Sequence, residues 1–151
     1  MSIESDSRRH VPAGYQSLVP YLISSDAPAL IAFLQKVFAA EQRDYVQTPD
    51  GKVMHASYCI DDCMIELSGG SEEFPPMPAS LHIYVPDTDA TFQKAVAAGA
   101  KVLREPADQF YGERGASIQD PTGNHWHLAT KTEDLTKEEM DARTAEFLGK
   151  K

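Results

Sequence analysis

Two histidines, His125 and His127, stand in the stretch Asp120-Pro121-Thr122-Gly123-Asn124-His125-Trp126-His127-Leu128-Ala129-Thr130, a tight turn leading into a short strand. Strand side chains alternate between faces, so both imidazoles point one way with Ala129, while Trp126 and Leu128 point the other. One face packs and the other meets a ligand. An imidazole there can hold a divalent metal, move a proton or orient a bound molecule by hydrogen bonds. By default a strand histidine is a hydrogen-bonded wall residue, so the chemistry depends on what else shares its face.

A second candidate group lies earlier in the chain. Cys59 and Cys63 flank Asp61-Asp62, which reads as a two-residue hairpin turn. That turn sets Ile60 against Cys63, Cys59 against Met64 and Ser57 against Glu66. It also puts His55 on the face of Glu66 and sends the two thiols to opposite faces, which argues against a disulfide. Neither cysteine has the spacing of a zinc ribbon or a redox motif.

The chain has 151 residues, 42% of them hydrophobic, enough for one compact domain or two small half-modules sharing a core. A formal net charge of −9 argues against nucleic acid and anionic membrane as partners, because both need a basic surface. The expected partner is a small molecule or another protein chain, and the acidic balance favours a cationic ligand. No apolar run approaches the roughly 20 residues of a membrane span, and Met1 to His10 carries no signal-peptide core, so a cytoplasmic protein is expected.

In chain order, residues 1–14 read as a frayed tail. Leu18 to Ile23 reads as a strand made irregular by Pro20. Asp26 before Ala27-Pro28 caps a helix whose stripe is Leu30, Phe33, Leu34, Val37 and Phe38. Strands follow over Gln42 to Thr48, Val53 to Ile60 and Cys63 to Ser68, and residues 70–78 read as a linker. Leu81 to Val85 is the next strand. Asp87 or Thr88 then caps a helix to about Ala98, with Gly99 at its C-terminal turn. The remaining strands fall near Val102 to Glu105, Gly115 to Gln119 and Asn124 to Thr130. Thr136-Lys137-Glu138-Glu139 has the pattern of a capping box opening a terminal helix to about Leu148.

The order strand, helix, three strands thus occurs twice. Tyr21-Leu22-Ile23-Ser24-Ser25-Asp26-Ala27 aligns with Tyr84-Val85-Pro86-Asp87-Thr88-Asp89-Ala90 at an offset of 63, and Met64-Ile65-Glu66-Leu67 aligns with His125-Trp126-His127-Leu128 at 61. With Phe110-Tyr111-Gly112-Glu113-Arg114 ahead of the Asp120 turn, the stretch from about Tyr15 to Thr130 resembles the glyoxalase, bleomycin-resistance and extradiol-dioxygenase (vicinal oxygen chelate) superfamily, closest to its PhnB-like branch. The resemblance implies an α+β fold of two tandem βαβββ units forming a curled mixed sheet around one concave pocket, plus a C-terminal helix. The domain is expected over 15–132, with units 15–69 and 79–132, and the terminal helix within 133–151. Homodimers are common in such families.

In the metal-using members the first and last strands of each unit give one ligand each. Carried onto this chain, those slots hold Val19 and Glu66, then His82 and His127; Val19 is no ligand, and His127 replaces a carboxylate common in the family. His55 is the possible substitute, giving a candidate set of His55, Glu66, His82 and His127 suited to Zn²⁺, Fe²⁺, Ni²⁺ or Mn²⁺. The resemblance then leaves two readings. One is a metal-dependent lyase, isomerase or dioxygenase with Glu66 as ligand or base. The other is a binding protein without the complete family metal site, in which Tyr21, Tyr84, Phe110, Tyr111 and Arg114 line the pocket and the histidines orient the ligand.

Overall fold

A computed structural model describes residues 9–150, so part of the tail expected over 1–14 lies outside the described residues. The chain divides into two compact units, Met1–Pro78 and Ala79–Lys151. Each repeats one plan, a four-stranded mixed sheet with a helix after its first strand.

In the first unit, β1 (Tyr21–Ile23) leads to α1 (Ala27–Phe38), then β2 (Glu41–Gln47), β3 (Val53–Ile60) and β4 (Cys63–Ser68). The strand order is β1-β4-β3-β2, with β1 parallel to β4 and the other pairs antiparallel. The expected first strand is shortened to three residues: the Pro20 carbonyl still accepts from the Glu66 amide at 2.9 Å, but Pro20 has no N–H with which to extend the ladder further. The Asp61-Asp62 turn sets the register inferred from it: Ile60 faces Cys63, Cys59 faces Met64 and Ser57 faces Glu66. Asp61 sits at φ 54°, the left-handed conformation such a turn requires.

Asp26 caps α1 by accepting a hydrogen bond from the Ala29 amide at 3.1 Å. Proline in the first turn costs no hydrogen bond, and the helix stops where Ala39 turns left-handed at φ 53°. Leu30, Phe33, Leu34, Val37 and Phe38 are buried along one stripe. On the sheet, Leu22, Leu67, Ala56, Ile65 and Tyr58 share one face by register and are buried too. Each large apolar side chain removed from water contributes about 2 kcal/mol, so this helix-to-sheet core accounts for most of the unit's cohesion. The opposite face carries Tyr21, His55, Ser57 and Glu66.

The second unit repeats the order with β5 (Ser80–Tyr84), α2 (Thr88–Ala97), β6 (Lys101–Asp108), β7 (Glu113–Gln119) and β8 (His125–Lys131), arranged β5-β8-β7-β6. Asp87 caps α2 through the Ala90 amide at 3.1 Å. Trp126, Leu128, Ala116 and Ile118 are buried on the face towards α2, as alternation from His127 requires. The turn before β8 is built on Asp120. Its buried carboxylate accepts from Thr122 N and Oγ1, Asn124 N and Nδ2, and the Trp126 indole at 2.8–3.2 Å.

The third helix, α3 (Lys137–Gly149), starts at Thr136, whose hydroxyl accepts from the Glu139 amide as the capping-box pattern indicated. It buries no residue, in keeping with its thin apolar content. It is held to its own unit by Arg143, which makes two bonds to Glu133 and donates to the Phe110 carbonyl, and by Phe147, which stacks on Phe110.

Candidate functional site

The histidine face belongs to the second unit. β5 is paired in parallel to β8 with His82 opposite His127, Ser80 opposite His125 and Tyr84 opposite Ala129; on the other side of β8, Ser117 of β7 lies opposite His127. The period of two then gathers Ser80, His82, Tyr84, His125, His127, Ser117 and Glu113 on one face.

His127 is at its centre. Its Nδ1 is 2.8 Å from the Ser117 hydroxyl and its Nε2 is 3.2 Å from the Ser80 hydroxyl. Burial pushes its pKa below the ordinary imidazole value, and the nearby His125, His82 and Arg104 push the same way. The ring is therefore neutral near pH 7, with one N–H and one lone pair. Each serine hydroxyl can donate or accept, so both ring nitrogens are satisfied in either tautomer.

Beside it, the rings of His82 and Tyr84 lie 4.9 Å apart at a tilt of 59°, both on exposed residues. The Tyr84 hydroxyl donates to Glu113 at 2.7 Å, which raises the pKa of the phenol. The result is a face that sets the His127 ring and its two serine hydroxyls beside a pair of rings and the Glu113 carboxylate.

In the first unit the matching row runs across β3, β4 and β1: Ser57 opposite Glu66, and Glu66 opposite Tyr21. The ring of His55 lies 6.2 Å from that of Tyr21. Ser57 is fully buried, and its hydroxyl has no hydrogen-bond partner among the described residues. Its counterpart Ser117 is engaged by His127, so the same slot is satisfied in one unit and unmatched in the other.

This register corrects the alignment of the first strands. Glu66 pairs with Tyr21 as His127 pairs with His82, so Tyr21, not Val19, occupies the slot of His82. The offset is 61 here as well, and the two capping residues, Asp26 and Asp87, keep it.

The remaining candidates divide. Tyr21 and Tyr84 are exposed on the two polar faces. Phe110 stacks on Phe147 at 4.4 Å and meets Tyr111 edge-on at 5.2 Å, so Phe110 anchors α3 while Tyr111 keeps part of its ring exposed. Arg114 is on the helix side of β7, where Asp89 takes Nε at 2.5 Å and Nη2 at 2.9 Å, and Asp108 takes Nη1 at 3.2 Å. Its guanidinium ties β7 to α2. Ser80, Ser117 and Glu113 were missed in the sequence, although Ser57 and Ser117 recur at nearly the repeat offset and signal a shared slot.

The four candidate ligands stand as two pairs, His55 with Glu66 in one unit and His82 with His127 in the other. Among the described residues, no three His, Cys, Asp or Glu side chains form a group that could hold a metal ion. Using His127 as a ligand would also displace one of its serine partners.

The comparisons agree with the repeated plan. The family model for the Glyoxalase/Bleomycin resistance protein/Dioxygenase superfamily matches residues 15–128. Mb0911c of Mycobacterium bovis is 34% identical over 137 residues, covering 83% of this chain and 90% of that protein. Among solved structures, TioX from Micromonospora sp. ML1 is similar with a TM-score of 0.63 at 20% identity, over 80% of this chain and 100% of its own. A Bacillus cereus structure named as a putative 3-demethylubiquinone-9 3-methyltransferase, PhnB protein, gives a TM-score of 0.59 at 16% identity, over 76% of this chain and 99% of that one. Two βαβββ units in tandem, with that match across both of them, make this chain a member of the glyoxalase/bleomycin resistance protein/dioxygenase superfamily.

Proposed function

We propose that the chain is a small-molecule-binding member of this superfamily that works without a family-type metal. The observation that supports this most is the state of His127, a neutral imidazole with both nitrogens hydrogen-bonded to serines. Such a ring offers a ligand its face and the remaining capacity of its two serine hydroxyls, and has no free lone pair for a cation. His82 and Tyr84 supply rings for stacking beside it, and Tyr21 does the same on the face of the first unit. The likeness to a structure named PhnB supports placing the chain in that branch. The same family reading makes it a cytoplasmic homodimer, which light scattering on the eluted protein tests for assembly.

The alternative is a metal-dependent lyase, isomerase or dioxygenase acting on a chelating substrate. It is favoured by the family's name and by Glu66, a half-buried carboxylate on the face of His55 and Tyr21. Here Glu66 would be a ligand or a base.

Elemental mass spectrometry separates the two, applied to protein purified without chelator or affinity tag and to its His127→Ala variant. The expected result is substoichiometric metal, unchanged by the substitution or by offered Ni²⁺, Zn²⁺ or Fe²⁺. One equivalent per chain, lost in the variant, overturns the metal-free reading. In a binding screen against aromatic amphiphiles, His82→Ala and Tyr84→Ala are expected to weaken whichever compounds bind the wild type.

A further inference from the structure

Every residue of the histidine face comes from the second unit, and the strand register carries that face beyond the imidazoles to the edge strand β6. Arg104 of β6 lies opposite Ser117, Ser117 opposite His127, and His127 opposite His82. Residues directly opposite share a face, so these four form one row straight across β6, β7, β8 and β5. In the next row Lys101 lies opposite Gln119 and Gln119 opposite His125. Strands about 4.8 Å apart put Arg104 two strands, about 10 Å, from His127.

Charged side chains are ordinary on an edge strand, because they discourage pairing with another chain. Either sign serves that purpose, so it does not explain how the charges of β6 are sorted. The bases are Lys101 and Arg104, the acids Glu105 and Asp108, and the register sets both bases on the histidine face. Asp108 lies opposite Arg114, on the side of α2, and is ion-paired to it at 3.2 Å. Glu105 falls in the irregular stretch between the Arg104 and Ala107 pairs. Lys101 and Arg104 are exposed, and neither makes an ion pair among the described residues.

The other charges on this face are engaged or distant. Glu113 accepts from the Tyr84 hydroxyl and is four residues along β7 from Ser117, about 13 Å; Lys131, opposite Glu113, is paired with Asp134. Salt screens exposed charges over about 8 Å at physiological ionic strength, so Glu113 and the formal net charge of −9 count for little beside Arg104. Besides burial, the groups that disfavour a proton on His127 are His125, His82 and Arg104, all of them basic.

We propose that Arg104 makes this face selective for a small planar aromatic acid, whose carboxylate meets the Arg104 guanidinium and whose ring lies over His127 towards the rings of His82 and Tyr84. A guanidinium presents a planar fork that takes both oxygens of a carboxylate, whereas an ammonium is a point charge. The inference rests on the histidine face being the ligand site proposed above, and adds the class of ligand. It reverses the cationic ligand that the overall composition favours.

Isothermal titration calorimetry with three naphthalenes of similar shape tests it: 2-naphthoate, 2-naphthamide and 2-naphthylmethylammonium. Each is titrated, above the imidazole titration range, into wild type, Arg104→Gln, Arg104→Lys, Lys101→Gln and His82→Ala. Arg104 is exposed on an edge strand, and superimposable melting curves will show that its variants fold. Wild type should bind the naphthoate most tightly and the ammonium least. Arg104→Gln should weaken the naphthoate about fivefold, as expected for one exposed charge pair, and bring it level with the amide. Arg104→Lys should fall between the two, Lys101→Gln should cost less than Arg104→Gln, and His82→Ala should weaken all three compounds. Equal affinity of naphthoate and amide in wild type, or the same loss for both in Arg104→Gln, overturns the anion selectivity, while a loss in His82→Ala still supports the face as the ligand site. A larger loss of naphthoate in Lys101→Gln than in Arg104→Gln overturns the assignment to Arg104. Binding that His82→Ala leaves unchanged, or no binding of any of the three, overturns both this inference and the reading on which it rests.

Discussion

At the scale of single residues, the imidazole of His127 between two hydroxyls has a measurable signature. Its proton affinity is lower in the folded protein than in an unfolded chain, where an imidazole titrates near pH 6.5. As pH falls, the unfolded state takes up that proton first, so the contribution of His127 to stability is intact above about pH 6.5 and fades as pH drops towards the folded value. The slope vanishes once pH is below both values. Imidazole NMR titration should show His127 protonating at lower pH than a free imidazole, and the urea midpoint should fall between pH 7.5 and pH 5. In His127→Gln that part of the pH dependence should disappear. A His127 resonance that titrates above pH 6.5 would contradict the half-buried, neutral ring.

Elements supply the next level, and the turns are where single substitutions cost most. Asp120 is 2% exposed and accepts five hydrogen bonds from the turn and the indole that follows it. Asp120→Ala leaves those donors without their acceptor and should cost about 3 kcal/mol, read from chemical denaturation. Two glycines make a sharper comparison. Gly70 has φ 81°, and a Cβ there would sit 3.0 Å from Ile23 and Pro76 side-chain atoms and 3.1 Å from the Phe74 carbonyl; Gly51 has φ 88° with nothing near. Gly51→Ala should cost about 1 kcal/mol for conformation alone, and Gly70→Ala clearly more, since backbone and packed atoms must also move. Equal losses would show that the loop after β4 yields freely.

Most elements were legible in the sequence because their signals are local. The Asp61-Asp62 turn fixed the pairing of Ser57 with Glu66, and Asp26, the pair Asp87 or Thr88, and Thr136 marked three helix starts, the second of them capped by Asp87. The first strand was misaligned by two residues for a physical reason: a shift of two keeps every side chain on its own face, so alternation cannot detect it. Similarity between Tyr21 and Tyr84 drew the alignment to 63, whereas the caps and the closing strands hold 61. The serines around His127 and the carboxylates around Arg114 stayed hidden, since partners across a sheet or a helix contact are set by tertiary placement.

For the whole molecule, two units share a plan and differ in what their polar faces carry, a carboxylate with a tyrosine in one and two imidazoles in the other. A resident metal would stabilise the native state in proportion to its affinity and occupancy. Dialysis against EDTA should therefore leave the melting temperature unchanged, and a fall restored by added Zn²⁺ or Ni²⁺ would favour the enzyme reading. No helix among the described residues is long and apolar enough to cross a membrane. The unmatched hydroxyl of Ser57 also means that each half carries a template for repairing the other. Glu66→His would copy into the first unit the serine-to-imidazole pairing that the second already has, and would give that buried oxygen a partner. A protein made symmetrical in this way should be more resistant to denaturant than its parent, and any loss of ligand binding that accompanies the gain would measure what the asymmetry is kept for.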